Sequence, residues 1–234
     1  MIELIGIGAV AFGVGLSGAL SPGPLTVLVV REAPRRGWRA GPVATLGHGV
    51  VELALVIALA LGLAAFVGEG RGTAVIALLG GALLLWMGIG LLRGFRNASL
   101  GEGLAVAASN SAAAAAAARA SPARGRPGVR AAATLASLGA LVSVANPYWV
   151  VWWATVGTKL TSDSLSAGWP GPAVFFVGHI LSDLVWLTAV ATVVSSGRRW
   201  FGGDGWYRAL IAACGIFLIV IGALFIAGGA RSLG

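Results

Sequence analysis

An all-α integral membrane protein of six transmembrane helices is the fold class this sequence predicts, and three observations carry the prediction. Of 234 residues, 58% are hydrophobic and only 10% are charged, whereas a soluble domain carries about 25% charged residues. Mean hydropathy is +0.91. Apolar runs recur along the chain at about 20 residues or more, the length of helix that crosses a hydrocarbon core of roughly 30 Å.

Taken in order, the runs cover residues 4–30, 43–67, 73–92, 132–157, 171–194 and 207–229. The first, at 27 residues, is long enough to tilt or break. Residues 1–93 then form a first unit of three helices and residues 132–234 a second. Between them, residues 94–131 contain the run Ala112 to Ala118, followed by Arg119, Arg124, Arg126 and Arg130. Alanine favours helix, but Pro122, Gly125 and Pro127 interrupt it and no apolar face is left to bury, so a mobile cytoplasmic linker is expected.

The basic residues set the orientation. Arg31, Arg35, Arg36, Arg39, Arg93, Arg96, the four linker arginines, Arg198, Arg199 and Arg208 fall on one side, against Arg71, Lys159 and Arg231 on the other. Basic loops stay in the cytoplasm, so both termini are expected outside it, with the plasma (cytoplasmic) membrane as the location. A net charge of +8 would suggest nucleic acid in a soluble protein. Here the charges orient helices, and no nucleic-acid partner is expected. Met1-Ile2-Glu3 opens without a basic n-region, so no cleaved signal peptide is expected. The single cysteine, Cys214, excludes disulfide frameworks and dithiol redox chemistry within one chain.

The two halves repeat. Gly37-Trp38, Gly41-Pro42, Gly47-His48 and Glu52 are matched by Gly168-Trp169, Gly171-Pro172, Gly178-His179 and Asp183. The chain has two histidines, and they occupy equivalent places. Upstream of each copy stands another pair, Ser21-Pro22-Gly23-Pro24 and Asn146-Pro147-Tyr148-Trp149. Three helices per half make the halves antiparallel across the membrane, a 3+3 inverted repeat.

Ser21-Pro22 and Asn146-Pro147 each join a favoured N-cap residue to a proline suited to the first helical position, so broken helices are expected at both. Half-helix N-termini at membrane depth would present free N–H groups and positive dipole ends, which suit a carboxylate. A plain proline kink would also account for them. The candidate substrate-binding residues are therefore Ser21, Pro22, Gly23, Pro24, Asn146, Pro147 and Trp149, with Trp152 and Trp153 nearby for cation–π contact.

Glu52 and Asp183 are the acids near the centres of apolar runs, where an unpaired charge costs about 2.5 to 3.5 kcal/mol or more. Spacing of i, i+4 puts His48 with Glu52 and His179 with Asp183 on one helix face each. The four could relay protons, face a substrate's ammonium group, ligate a divalent metal, or only lock helix packing. Zinc-protease chemistry does not fit, because Gly49 and not glutamate follows His48. Gly13-Val14-Gly15-Leu16-Ser17-Gly18 matches a dinucleotide fingerprint in letters only. No strand precedes it, and close helix packing is the expected role.

Ser21-Pro22-Gly23-Pro24 and the following Arg35-Arg36-Gly37-Trp38-Arg39-Ala40-Gly41, with Asn146-Pro147 and Trp152-Trp153 in the second half, resemble the LysE/RhtB family of amino-acid exporters. The resemblance implies a secondary transporter, an antiporter that exports an amino acid or related small metabolite at the expense of the proton gradient, and no enzyme. The His48/Glu52 and His179/Asp183 pairs depart from the lysine, threonine and homoserine exporters, which leaves the substrate open and keeps a divalent metal-ion transporter as the alternative. The partners expected are the lipid bilayer, a small-molecule substrate and protons, with a homodimer left open and no cofactor.

Overall fold

The computed structural model describes residues 2–20, 23–66, 71–99, 128–196 and 205–233. All regular elements among them are helical: α1 (Ile2–Ala19), α2 (Pro24–Arg36), α3 (Ala40–Phe66), α4 (Arg71–Gly94), α5 (Val129–Val144), α6 (Pro147–Trp152), α7 (Thr158–Ser164), α8 (Pro170–Ser196) and α9 (Gly205–Arg231). Helical turns over Gly37–Arg39 and Leu165–Ala167, together with a π turn over Trp153–Gly157, connect them. α1, the α2–α3 stretch, α4, α8 and α9 are long and apolar enough to cross a membrane. The bent pair from Val129 to Ala167 makes a sixth if it is taken as one broken span. Most of the expected linker lies outside the described residues.

Both expected breaks fall within long apolar runs, but their details differ. The fourth run breaks where expected: α5 ends at Val144, Asn146 caps α6 through its side chain, which accepts from Tyr148 N at 3.1 Å, and the path bends by 66°. In the first run the second helix begins at Pro24 with Gly23 as N-cap and no side-chain cap. The expected start at Ser21-Pro22 lies outside the described residues. Pro24 is equally suited to a first helical position, since its missing N–H is one of the donors a helix start leaves unpaired. The fourth run also extends beyond residue 157, because the polar segment Thr158–Ser164 stays helical by bonding its hydroxyls back to the preceding turns.

Glycines bring the helix backbones together in four crossings. Alongside α8, α1 runs in the same direction, with Gly8 against Gly178 and Gly15 against His179 and Ser182. α3 runs antiparallel to α8, with Gly41 at Leu187 and Gly49 at Ile180. Gly37, at φ 66°, turns the chain between α2 and α3. α5 crosses α3 where a Cβ on Gly47 would lie 1.7 Å from the carbonyl oxygen of Ala136. The fourth crossing, α4 against α9, repeats every seven residues: Gly81 faces Gly222, Gly88 faces Gly215, and Gly229 faces Ala74. Small residues at this spacing let carbonyl groups touch the facing backbone, which is how helices associate without a hydrophobic driving force. The GxGxxG letters have this role too, for Gly13 packs on Phe217 and Gly15 on His179.

Two apolar clusters fill the interior. One gathers Leu28, Leu135, Trp186, Leu187 and Tyr207, and the other Val14, Leu84, Trp153, Phe175 and Leu218. Trp38 and Trp169 sit exposed at helix ends, as interfacial anchors should.

Candidate functional site

Because α3 and α8 are antiparallel, the two His/acid pairs meet face to face between the clusters. His48 Nε2 lies 3.0 Å from Glu52 Oε1 and 3.4 Å from Asp183 Oδ2. His179 Nε2 lies 3.4 Å from Glu52 Oε1 and 3.9 Å from Asp183 Oδ2. All four are buried, Glu52 to 1% exposure. The structure therefore brings together the residues that the sequence offered as two separate pairs.

Helix α6 and its π turn supply the next layer. Trp149 and Trp153 stand one turn apart, and both indole N–H groups donate to Glu52 Oε1 at 3.0 Å. The π turn leaves the carbonyl of Trp153 to accept from Thr158 Oγ1 at 2.7 Å. Gly157 makes room for the Trp153 ring, which a Cβ would meet at 2.4 Å. π turns widen a helix locally and recur at functional sites. Trp152 stacks on one side of His179 at 4.9 Å, and Phe175 lies nearly parallel to the imidazole at 6.0 Å. From α5, Ser143 donates to the carbonyl of Gly139 at 2.7 Å, so its oxygen is left to accept from His48 Nδ1, also at 2.7 Å.

Three buried atoms of the cluster, Glu52 Oε2, His179 Nδ1 and Asp183 Oδ2, have no hydrogen-bond partner among the described residues, Asp183 Oδ2 having only its longer ion-pair contacts to the two histidines. Buried polar atoms are normally paired, so orphans in one cluster suit a ligand that could pair them. A cavity of about 110 Å³ opens beside them, lined by the four ionisable residues, the three tryptophans, Gly23, Leu25 and Asn146. Among the candidate substrate residues, Gly23, Asn146 and Trp149 line it; Pro24 lines an adjoining pocket; Ser21 and Pro22 lie outside the described residues. Pro147 takes the first position of α6. One atom each from His48, Glu52 and Asp183 fall within 4.8 Å of one another, a grouping able to hold a divalent cation.

Sequence reasoning missed several neighbours. Ser143 and Phe175 look like ordinary helix residues, although the i, i+4 spacing of Trp149 and Trp153 could have marked an indole pair aimed at one acceptor. Glu32 was missed as well. It is a third buried acid, on α2, paired with Arg36 at 2.7 Å and approached by Arg35 at 3.8 Å.

The chain is similar to the chemotactic transduction protein ChpE of Pseudomonas aeruginosa, with 28% identity over 95% of this chain and 97% of that one. No solved structure matches it. A family model described as LysE type translocator matches residues 16–229, nearly the whole chain and both helix breaks with the cavity between them, so the protein belongs to the LysE-type translocator family, a family of membrane transporters.

Proposed function

We propose that the protein is a proton-coupled secondary exporter of an amino acid or related small metabolite, with Glu52 and Asp183 receiving either the ammonium group or the coupling protons. The observation that carries this reading is the cluster of orphaned polar atoms at the cavity. Two carboxylates with unpaired oxygens suit a cation that donates several hydrogen bonds, which an ammonium group does. The opposite rim suits a carboxylate. Gly23 starts α2 without a side-chain cap, and the first amides of a helix are free donors at its positive end.

An inverted repeat of three helices each fits the packing. α3 against α8 and α4 against α9 are antiparallel, and each of these pairs joins one helix from either half. Exchange of the two halves with reversal of direction leaves this pattern unchanged. On this reading the basic loops are cytoplasmic, both termini lie outside, and the plasma membrane is the location. Cysteines placed by Arg36→Cys and Gly125→Cys, in a Cys214→Ala background, are expected to be shielded from an impermeant thiol reagent on intact cells, and Gly70→Cys to be labelled. The opposite labelling pattern inverts the topology.

The second reading is a divalent metal-ion transporter, favoured by the grouping of His48, Glu52 and Asp183. Proteoliposomes offered amino acids and divalent metals side by side separate the two. Amino-acid counterflow is expected, with no rise in melting temperature on adding Zn²⁺, Ni²⁺ or Mn²⁺ at micromolar concentration. A metal-dependent rise that His48→Ala removes would establish the metal reading instead.

A further inference from the structure

A second pocket adjoins the central cavity. It has a volume of about 470 Å³ and lies between the helix breaks and α4, where Trp86, Met87 and Gly90 form its outer wall. Gly23, Asn146 and Tyr148 line both spaces and make a common rim. The acids stand on the inner side of that rim. The outer pocket has no charged side chain among its described lining residues. Two of its polar groups are already engaged: Asn146 Oδ1 caps α6, and the Tyr148 hydroxyl donates to Met87 Sδ at 2.9 Å.

The central cavity has about 110 Å³, a small space beside its neighbour. A zwitterion carries three arms on one carbon, and three environments meet at the rim: acids inward, the uncapped start of α2 at the edge, and an apolar pocket outward. We propose that the outer pocket is the side-chain subsite of the transporter, so that the compounds carried are α-amino acids with an apolar, uncharged side chain. This rests on the amino-acid reading above. The ammonium group faces Glu52 and Asp183, the carboxylate lies at the rim, and the side chain packs on Trp86 and Met87, whose soft surfaces accommodate varied apolar shapes. A second charge on the side chain would be buried there without a partner and is rejected for that reason.

Gly90 provides the test, because a Cβ placed on it meets no atom within 4 Å. A larger residue there extends into the pocket without moving α4. Alanine, leucine, phenylalanine, lysine and glutamate are each offered in counterflow to proteoliposomes containing the wild type, Gly90→Leu or Trp86→Ala. The wild type is expected to carry leucine and phenylalanine in preference to lysine and glutamate. Gly90→Leu should cut leucine and phenylalanine transport by about tenfold or more and leave alanine within about twofold, the discrimination a reshaped apolar pocket can supply. Trp86→Ala, on the exposed face of α4, should weaken the preference for phenylalanine over alanine, and it decides the matter if Gly90→Leu does not fold. An equal loss for all substrates would make the pocket a common passage, and no change with either variant would make it a lipid-filled groove. Either result overturns the subsite, as does a wild-type preference for lysine or glutamate. A wild type that carries none of the five overturns the amino-acid reading itself.

Discussion

Glu52→Gln is expected to abolish accumulation of substrate against its gradient while leaving downhill exchange measurable. Glu52 Oε1 is the acceptor on which two indole N–H groups converge, with both imidazole Nε2 atoms within 3.4 Å. A glutamine oxygen can still accept from Trp149 and Trp153, and the amide is nearly isosteric, so folding should survive. The negative charge is lost, and with it the charge-assisted bond to a cation, worth about 1.5 to 3 kcal/mol, or roughly ten- to a hundredfold in affinity. Asp183→Asn should act in the same direction with a smaller effect, because its contacts to the histidines are longer, at 3.4 and 3.9 Å, and no indole among the described residues engages it. Export and counterflow in vesicles with an imposed pH gradient separate coupling from passage. If both single variants and the double variant export uphill at wild-type rates, the carboxylates are structural.

The largest loss of stability is expected at the backbone crossings. In Gly47→Ala the new methyl would stand 1.7 Å from the carbonyl oxygen of Ala136, and in Gly171→Ala the same distance from that of Ser164. Ordinary contact begins near 3.4 Å, so whole helices must separate. The cost is that of overpacking against rigid neighbours, about 1 to 3 kcal/mol and upward. Gly47 precedes His48, so separating α3 from α5 also draws His48 away from Ser143. Gly62→Ala on the same helix is the control. Its Cβ meets nothing within 4 Å, and its better helix propensity should leave the melting temperature unchanged or raised. Thermal unfolding in detergent compares them, and equal melting of Gly47→Ala and Gly62→Ala would refute the crossing geometry.

The four buried ionisable residues were legible because polar side chains are expensive in apolar runs, so their mere presence marked them. Their i, i+4 spacing placed each pair on one face, but that the two faces meet depends on α3 and α8 packing antiparallel, which no local pattern encodes. The break at Asn146-Pro147 was legible from its cap. At the first break two prolines compete, and preference for a side-chain cap favoured Ser21 over Gly23, although glycine also serves as an N-cap. Glu32 escaped notice because Arg31, Arg35 and Arg36 around it end the apolar run, so it looked like a loop residue until Arg36 was seen paired to it. The i, i+4 spacing puts Trp149 and Trp153 on one face, but that both indoles reach Glu52 is a contact between distant helices that helical periodicity does not register.

The seven-residue ladder of glycines between α4 and α9 has a mechanical consequence. Its three levels, Ala74 with Gly229, Gly81 with Gly222 and Gly88 with Gly215, span two repeats of seven residues. At about 1.5 Å per residue that is roughly 21 Å, most of the depth of a bilayer core. Along this line the facing backbones come close, with Ile219, Ile226, Leu78 and Leu92 packed over the glycines beside them. A close seam of this depth resists sliding of α4 past α9, so the two helices are expected to move as one unit in any rearrangement of the bundle.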